Sequence, residues 1–225
     1  MHRIAEHVLA AARFADDGEI RLTAHDGGFA TPLLSDGRRV RVAGTTIVVD
    51  GPGGSRAQDI DSVGSAASFV GIEPGFPSQL YAPATTFVAD EPLRLDAAAA
   101  AALAAWYGFT DAVVRTFAAE IVGVVPSPLI LWPEHFDQAI FTEDADEAAR
   151  ANYGASPGDD GHPAPYLYVG PWSAPAADPY WNATQFSGSV MSVSAVSAAE
   201  DPTAVALAFL RAGRARLVRG DEMTR

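Results

Sequence analysis

The chain has 225 residues, 28 acidic against 15 basic, a net charge of -13 and no cysteine; all 15 basic residues are arginine, so lysine is absent too. These two absences exclude Schiff-base chemistry, the ordinary lysine-bearing P-loop, thiolate catalysis, disulfides and cysteine-ligated metals, and leave histidine and carboxylates as the strong metal ligands. So acidic a chain repels phosphate backbones and anionic lipid, so neither nucleic acid nor a membrane surface is an expected partner.

With 48% hydrophobic residues the chain can bury a substantial core. The stretch from Met1 to Phe14 carries Arg3, Glu6 and Arg13 and lacks the apolar run of a signal peptide, so a cytoplasmic location is expected. Ala97 to Phe109 is the longest apolar stretch, mostly alanine, framed by Asp96 and Asp111, and too short to span a bilayer.

In chain order, Ile4, Val8, Ala11 and Ala12 recur at helical spacing and predict a short amphipathic helix over 2–14, broken at Asp16-Asp17-Gly18. Four strands follow by pattern, Glu19 to Ala24, Gly28 to Leu33, Arg38 to Val42 and Thr45 to Val49, the last closing on the turn cluster Asp50-Gly51-Pro52-Gly53-Gly54. Asp61 or Ser62 caps a helix that Gly71 stops. Residues 73–95 hold four prolines and read as a connecting segment across the surface. Asp96 caps an alanine-rich helix, with a kink or re-cap expected at Gly108 to Asp111 and an end at Gly123. Leu129 to Trp132 and Glu134 to Phe141 read as strands joined by a tight turn at Pro133. A Gly-Pro-Asp loop occupies 154–165, Tyr166 to Gly170 returns to strand, and Val190 to Val196 is a further strand. Asp201-Pro202 opens a closing helix that ends near Val218.

The predicted fold is therefore α+β, with antiparallel strands packed by helices: an N-terminal lobe over 1–72, a connector over 73–95 and a C-terminal lobe over 96–225 carrying the candidate site. Both halves read helix, strands, helix, so the lobes are expected to be similar and related by a pseudo-twofold.

The densest polar cluster is "LWPEHFDQAIF", Leu131 to Phe141, followed by "GASPGDDGHPAPYLYVGPW", Gly154 to Trp172. Strand parity puts His135 and Asp137 on one face, and Tyr166, Tyr168 and Trp172 on one face of the later strand. With those faces matched, Trp132, Tyr166, Tyr168 and Trp172 wall a site in which His135 and Asp137 orient a polar, aromatic or sugar-like small molecule. The bland alternative is that tyrosines and tryptophans at strand spacing are ordinary core or edge residues. The sharpest alternative is a divalent metal held by His135, Asp137 and His162, the ligand set of a facial triad, with Asp159 or Asp160 assisting. Glu134, Asp137, Asp159 and Asp160 could instead supply an acid and a base across a glycosidic bond.

The segments "GGFATPLL", "RRVRVAGTTIVVDG", "LWPEHFDQAIF", "SPGDDGHPAPYLYVGPW" and "DPTAVALAFLRAG" resemble a bacterial, largely actinobacterial, family of unknown function, of which the chain looks like a divergent, shortened member. The resemblance falls on Phe136, Asp137, Pro157, Gly158, Pro165, Tyr166 and Tyr168. Ala164 stands where the family tends to have an acid, and Glu134-His135 where it has small or polar residues. It implies a site location and names no reaction. The leading functional reading is small-molecule binding with catalysis possible; the alternatives are the metal-dependent enzyme and a structural or protein-interaction module presenting Trp172 and Trp181.

Overall fold

The computed structural model describes residues 1–219. The fold is α+β, with two antiparallel five-strand sheets and six α-helices among the described residues. The chain forms two compact units, the first comprising Met1–Gly108 and Ile130–Asp137, the second Phe109–Leu129 and the chain from Gln138 onward.

In the first unit the opening helix runs as α1 (His2–Ile4), a π-turn (Ala5–Leu9) and α2 (Ala10–Asp17), and stops at Gly18, whose φ of 80° needs no side chain. The predicted helix is present and runs on to Asp17, but its first half is not one-sided. Every residue from Ile4 to Ala12 is buried, Glu6 and His7 included, which is the burial of a central helix. A π-turn takes one more residue per turn than an α-turn, so the phase read from Ile4 and Val8 does not carry through it.

The first sheet is a meander, β1 (Thr23–His25), β2 (Gly28–Ala30), β3 (Arg39–Ala43), β4 (Thr46–Gly51) and β5 (Gly54–Asp59), each strand paired with the next. Val40 opposes Val49 and Val42 opposes Ile47, all four buried, which fixes the register by putting the branched side chains inward. Gly51 pairs with Gly54 across the Pro52-Gly53 turn. β5 was hidden in the sequence because nearly all of it is exposed, so it has no apolar alternation and is defined by its pairing to β4. The first strand begins at Thr23 and not Glu19; Leu22 instead exchanges two 2.9 Å backbone hydrogen bonds with Leu131. α3 (Val63–Val70) is capped as expected by Ser62, whose hydroxyl accepts from Ser65 N–H at 3.0 Å, and ends at Gly71 with φ 85°.

The 73–95 segment belongs to the first unit. It is tied back through Gly75 N–H to His7 O (2.9 Å), Gly64 N–H to Ala89 O (2.8 Å) and Leu93 N–H to Asp61 O (2.7 Å). The division between units falls instead inside α4 (Ala97–Glu120), at Gly108 and Phe109. Asp96 caps α4 through Ala99 N–H at 2.8 Å, and the helix runs unbroken past Gly108 for 24 residues, without the expected kink. At mean hydropathy 1.4 over its most apolar window, it is long and apolar enough to cross a membrane by length and composition, correcting the shorter stretch read from sequence. One side carries the buried Trp106, Tyr107, Thr110, Val113, Val114 and Phe117, at the spacing of a packed helix. The Asp111–Arg115 ion pair at 2.7 Å also lies on α4.

The second sheet runs β6 (Ile130–Trp132), β7 (Asp137–Thr142), β8 (Ala151–Ser156), β9 (Tyr166–Pro171) and β10 (Ser189–Ser192), again in chain order. β8 escaped prediction because "ANYGAS" shows no alternation; five of its six residues are buried. The strand expected to run to Val196 ends at Ser192, whose hydroxyl accepts from Ala195 N–H at 3.2 Å and starts α5 (Val193–Ser197). Asp201 caps α6 (Pro202–Arg219) through Ala204 N–H at 2.9 Å. One sheet face packs on helices: Tyr153 meets Phe117 at 4.9 Å, and α6 approaches β9 at Gly213, where a Cβ would stand 2.9 Å from a Val169 methyl.

Candidate functional site

Parity does not govern His135. Residues 133–136 form the turn between β6 and β7, with Phe136 N–H donating to Trp132 O at 2.7 Å and Phe136 at φ 54°. His135 rides this turn exposed to solvent, while Asp137 begins β7 and is 8% exposed. The predicted strand pair is thus a turn residue and a buried strand residue. Trp132 is half-buried with the Arg21 guanidinium over its ring at 5.9 Å. These three belong to the first unit, whereas His162, Tyr166, Tyr168 and Trp172 belong to the second. Among the described residues no three histidine or carboxylate side chains come close enough to hold a metal ion, so the expected triad of His135, Asp137 and His162 is corrected.

The turn is held by a buried group that the sequence did not mark. Phe136 stacks on His2 (4.9 Å, 9° between planes) and meets Phe29 and Tyr107 edge-on at 5.3 and 5.7 Å; the Tyr107 hydroxyl donates to Phe136 O at 2.6 Å. Burial pushes the Tyr107 phenol well above its usual range, with the Asp137 charge adding to it. Burial likewise raises the carboxyl of Glu134, and the Asp137 and Glu6 charges work in the same direction. Glu6 and His7 were also missed as a polar pair, since on a uniform helix their neighbours would have placed them half outside.

In the second unit two of the expected aromatic residues lie side by side. Tyr166 and Tyr168 share one face of β9 with ring centroids 6.2 Å apart. His162 joins the row at 5.2 Å from Tyr166, and Phe186 extends it edge-on to Tyr168 at 6.4 Å. Tyr168 lies across Gly154, where a Cβ would come within 2.9 Å of its ring, so the missing side chain on β8 lets the ring settle against the sheet. Trp172 stands at the end of the strand, 49% exposed, its indole N–H donating to Asn152 Oδ1 at 2.9 Å and its ring 6.0 Å from Phe141.

The Pro-Gly loop is organised by Asp159. One carboxylate oxygen accepts from Gly161 N–H (2.7 Å) and His162 N–H (2.8 Å), the other from the Tyr166 hydroxyl (2.5 Å), and Asp159 N–H donates to His162 O at 2.8 Å. Burial alone would raise this carboxyl, but the three donors hold it below the ordinary carboxylate value. Asp159 therefore builds the loop.

Phe186 belongs to a second feature that sequence reasoning passed over. Residues 174–188 form an open groove of about 570 Å3 lined by Pro175, Pro179, Trp181 and Phe186 among others. Trp181 is half-buried and edge-on to Tyr180 at 4.8 Å. Tyr180 anchors the groove to α6 through its hydroxyl on Phe209 O (2.8 Å) and the Arg216 guanidinium over its ring (4.6 Å). Asn182 ties it to β10, accepting from Val190 N–H at 2.8 Å and donating to Val190 O at 3.1 Å. Gln185 lies over Gly161, joining the groove segment to the Pro-Gly loop. No family model matches the chain, and neither a curated protein nor a solved structure matches it.

Proposed function

We propose that the second unit binds a small molecule with a flat or ring-shaped body and a polar edge, received by the groove of residues 174–188 and the aromatic row His162, Tyr166, Tyr168 and Phe186. The observation that carries the reading is that Phe186 belongs to both, lining the groove while meeting Tyr168 edge-on. Aromatic side chains offer contact area at small entropic cost, and rings fixed by Asp159 and by the glycine at 154 are already ordered before a ligand arrives. The groove wall includes Pro175, Pro179, Trp181 and Phe186, whose rings suit stacking on a planar body, with Asp178 and Ser187 as polar side chains on its lining. The resemblance of the Pro157 to Tyr168 stretch to a family of unknown function supports this location and names no reaction. Binding is the activity proposed: Asp159 beside the row is committed to three hydrogen bonds, and Asp178 in the groove is paired with Arg216 at 3.2 Å.

The test is a titration of isotope-labelled protein with a panel of nucleosides, monosaccharides and aromatic acids, read by amide chemical shifts. A binder is expected to move resonances of residues 159–168 and 174–188 together. Binders that shift only the 130–137 region, or a panel with no binder, would count against the proposal.

A further inference from the structure

We propose that residues 75–85 form a strap that His7 holds while its ring is neutral and releases when the ring is protonated. Phe76 N–H donates to His7 Nδ1 at 3.1 Å, so Nδ1 carries no proton and the ring hydrogen sits on Nε2. Nε2 is 3.1 Å from the Thr85 hydroxyl oxygen and 3.3 Å from Thr85 O, and donates there. The Thr85 hydroxyl in turn donates to the Glu6 carboxylate. Glu6 also accepts from Ala84 N–H at 2.7 Å and Thr85 N–H at 2.8 Å, and His7 O accepts from Gly75 N–H at 2.9 Å. Both ends of the strap are thus tied to two consecutive residues of the π-turn, and one tautomer of one imidazole satisfies the whole chain of bonds.

A second proton can enter only at Nδ1, where it would face the Phe76 N–H donor. His7 is 1% exposed, so water cannot take over either bond without movement. The titratable and charged groups around the ring are Glu6, whose carboxylate stands 3.9 Å from Nε2, Arg3 on the preceding turn, and His2, itself 4.0 Å from the Glu6 carboxylate. The strap contributes Phe76 and Thr85, Phe87 just beyond it brings its ring to 5.2 Å, and α3 contributes no charged residue. Glu6 and the Thr85 carbonyl favour the charged ring, Arg3 opposes it, and desolvation is the largest influence, so the titration lies below the ordinary histidine value. The strap is therefore held in full above the ordinary histidine pKa and loses its hold as pH falls through the lower, folded value. Release lifts Phe76 from its apolar cluster with Ala10, Ile20 and Phe14, so acid uncovers a hydrophobic surface on the first unit.

Hydrogen exchange of the full chain, read by mass spectrometry at about pH 7.5 and about pH 5 and corrected for intrinsic rates, tests this. A peptide covering 74–88 is expected to lose protection about tenfold while α6 keeps its own. The midpoint should coincide with the His7 ring titration measured by magnetic resonance. His2→Asn should leave the step in place. His7→Asn, which keeps an acceptor near the Nδ1 position and cannot titrate, should abolish it. Equal loss of protection in α6, no loss in the strap, or a step that follows His2 overturns the proposal. If His7→Asn does not fold, the unaltered chain decides: a strap midpoint away from the His7 titration overturns it.

Discussion

Phe136 occupies the left-handed region at φ 54°, where a non-glycine backbone costs about 1–2 kcal/mol. Its ring contacts with His2, Phe29 and Tyr107, and the Tyr107 hydroxyl on its carbonyl, more than offset that cost. Phe136→Ala is therefore expected to lower unfolding free energy by about 3–5 kcal/mol in urea titration. Phe136→Gly should do less harm by about 1 kcal/mol, because glycine enters this conformation freely, although it is normally the poorer replacement. His135→Ala, one residue away on the exposed side of the same turn, should change stability by no more than about 0.5 kcal/mol. The contrast shows what could be read at this scale. Tyr166 and Tyr168 obey the two-residue period because they sit inside a paired strand, whereas His135 and Asp137 do not, because the turn is set by Tyr107, some thirty positions earlier in the chain.

At the scale of elements, buried polar groups do the fastening. Glu6 holds the 84–85 backbone with both oxygens; Glu6→Gln turns one acceptor into a donor facing an N–H and should cost about 1–3 kcal/mol. Glu134 works in the opposite sense. Its carboxyl is buried, one oxygen is without a hydrogen-bond partner among the described residues, and its pKa is raised by burial. A raised carboxyl contributes stability below its ordinary pKa of 4.5 that is lost as pH climbs through the folded value. Glu134→Gln should accordingly be more stable than the unaltered protein at about pH 8, with the advantage vanishing below about pH 4, as thermal melts across that range would read. In the second unit, Arg214 grips Asp144 with two nitrogens at 2.6 and 2.7 Å, both side chains largely buried, and so ties α6 to the connection after β7. Arg214→Met should cost about 3 kcal/mol, and adding Asp144→Asn should return part of it, since the penalty comes from a carboxylate left unpaired. Elements with apolar period were legible: the capped helices α3 and α6, and the β3–β4 hairpin. β5 and β8 were not, one because it is almost wholly exposed, the other because five of its six residues are buried; neither offers the alternation that marks a strand. The π-turn was hidden because its partners lie some 70 to 80 residues downstream.

For the whole molecule, the sequence conveyed the class, two sheets of antiparallel strands with helices before and after, because the turn clusters and caps carry that information locally. The division of the chain was not legible. α4 passes unbroken through the place where the units part, and residues 130–137 return to the first unit, which only tertiary contacts determine. One consequence is that a fragment comprising 1–108 lacks Phe136, the partner of His2, Phe29 and Tyr107, and Leu131, the partner of Leu22. Such a fragment should give no cooperative thermal transition by circular dichroism. The functional account rests on the aromatic row and its neighbouring groove, and a matched pair of variants tests it most directly. Calorimetric affinity for whichever panel member binds should fall about tenfold or more in Phe186→Ala and stay within about twofold in His135→Ala. Unchanged affinity in Phe186→Ala, or a loss in His135→Ala instead, would contradict it.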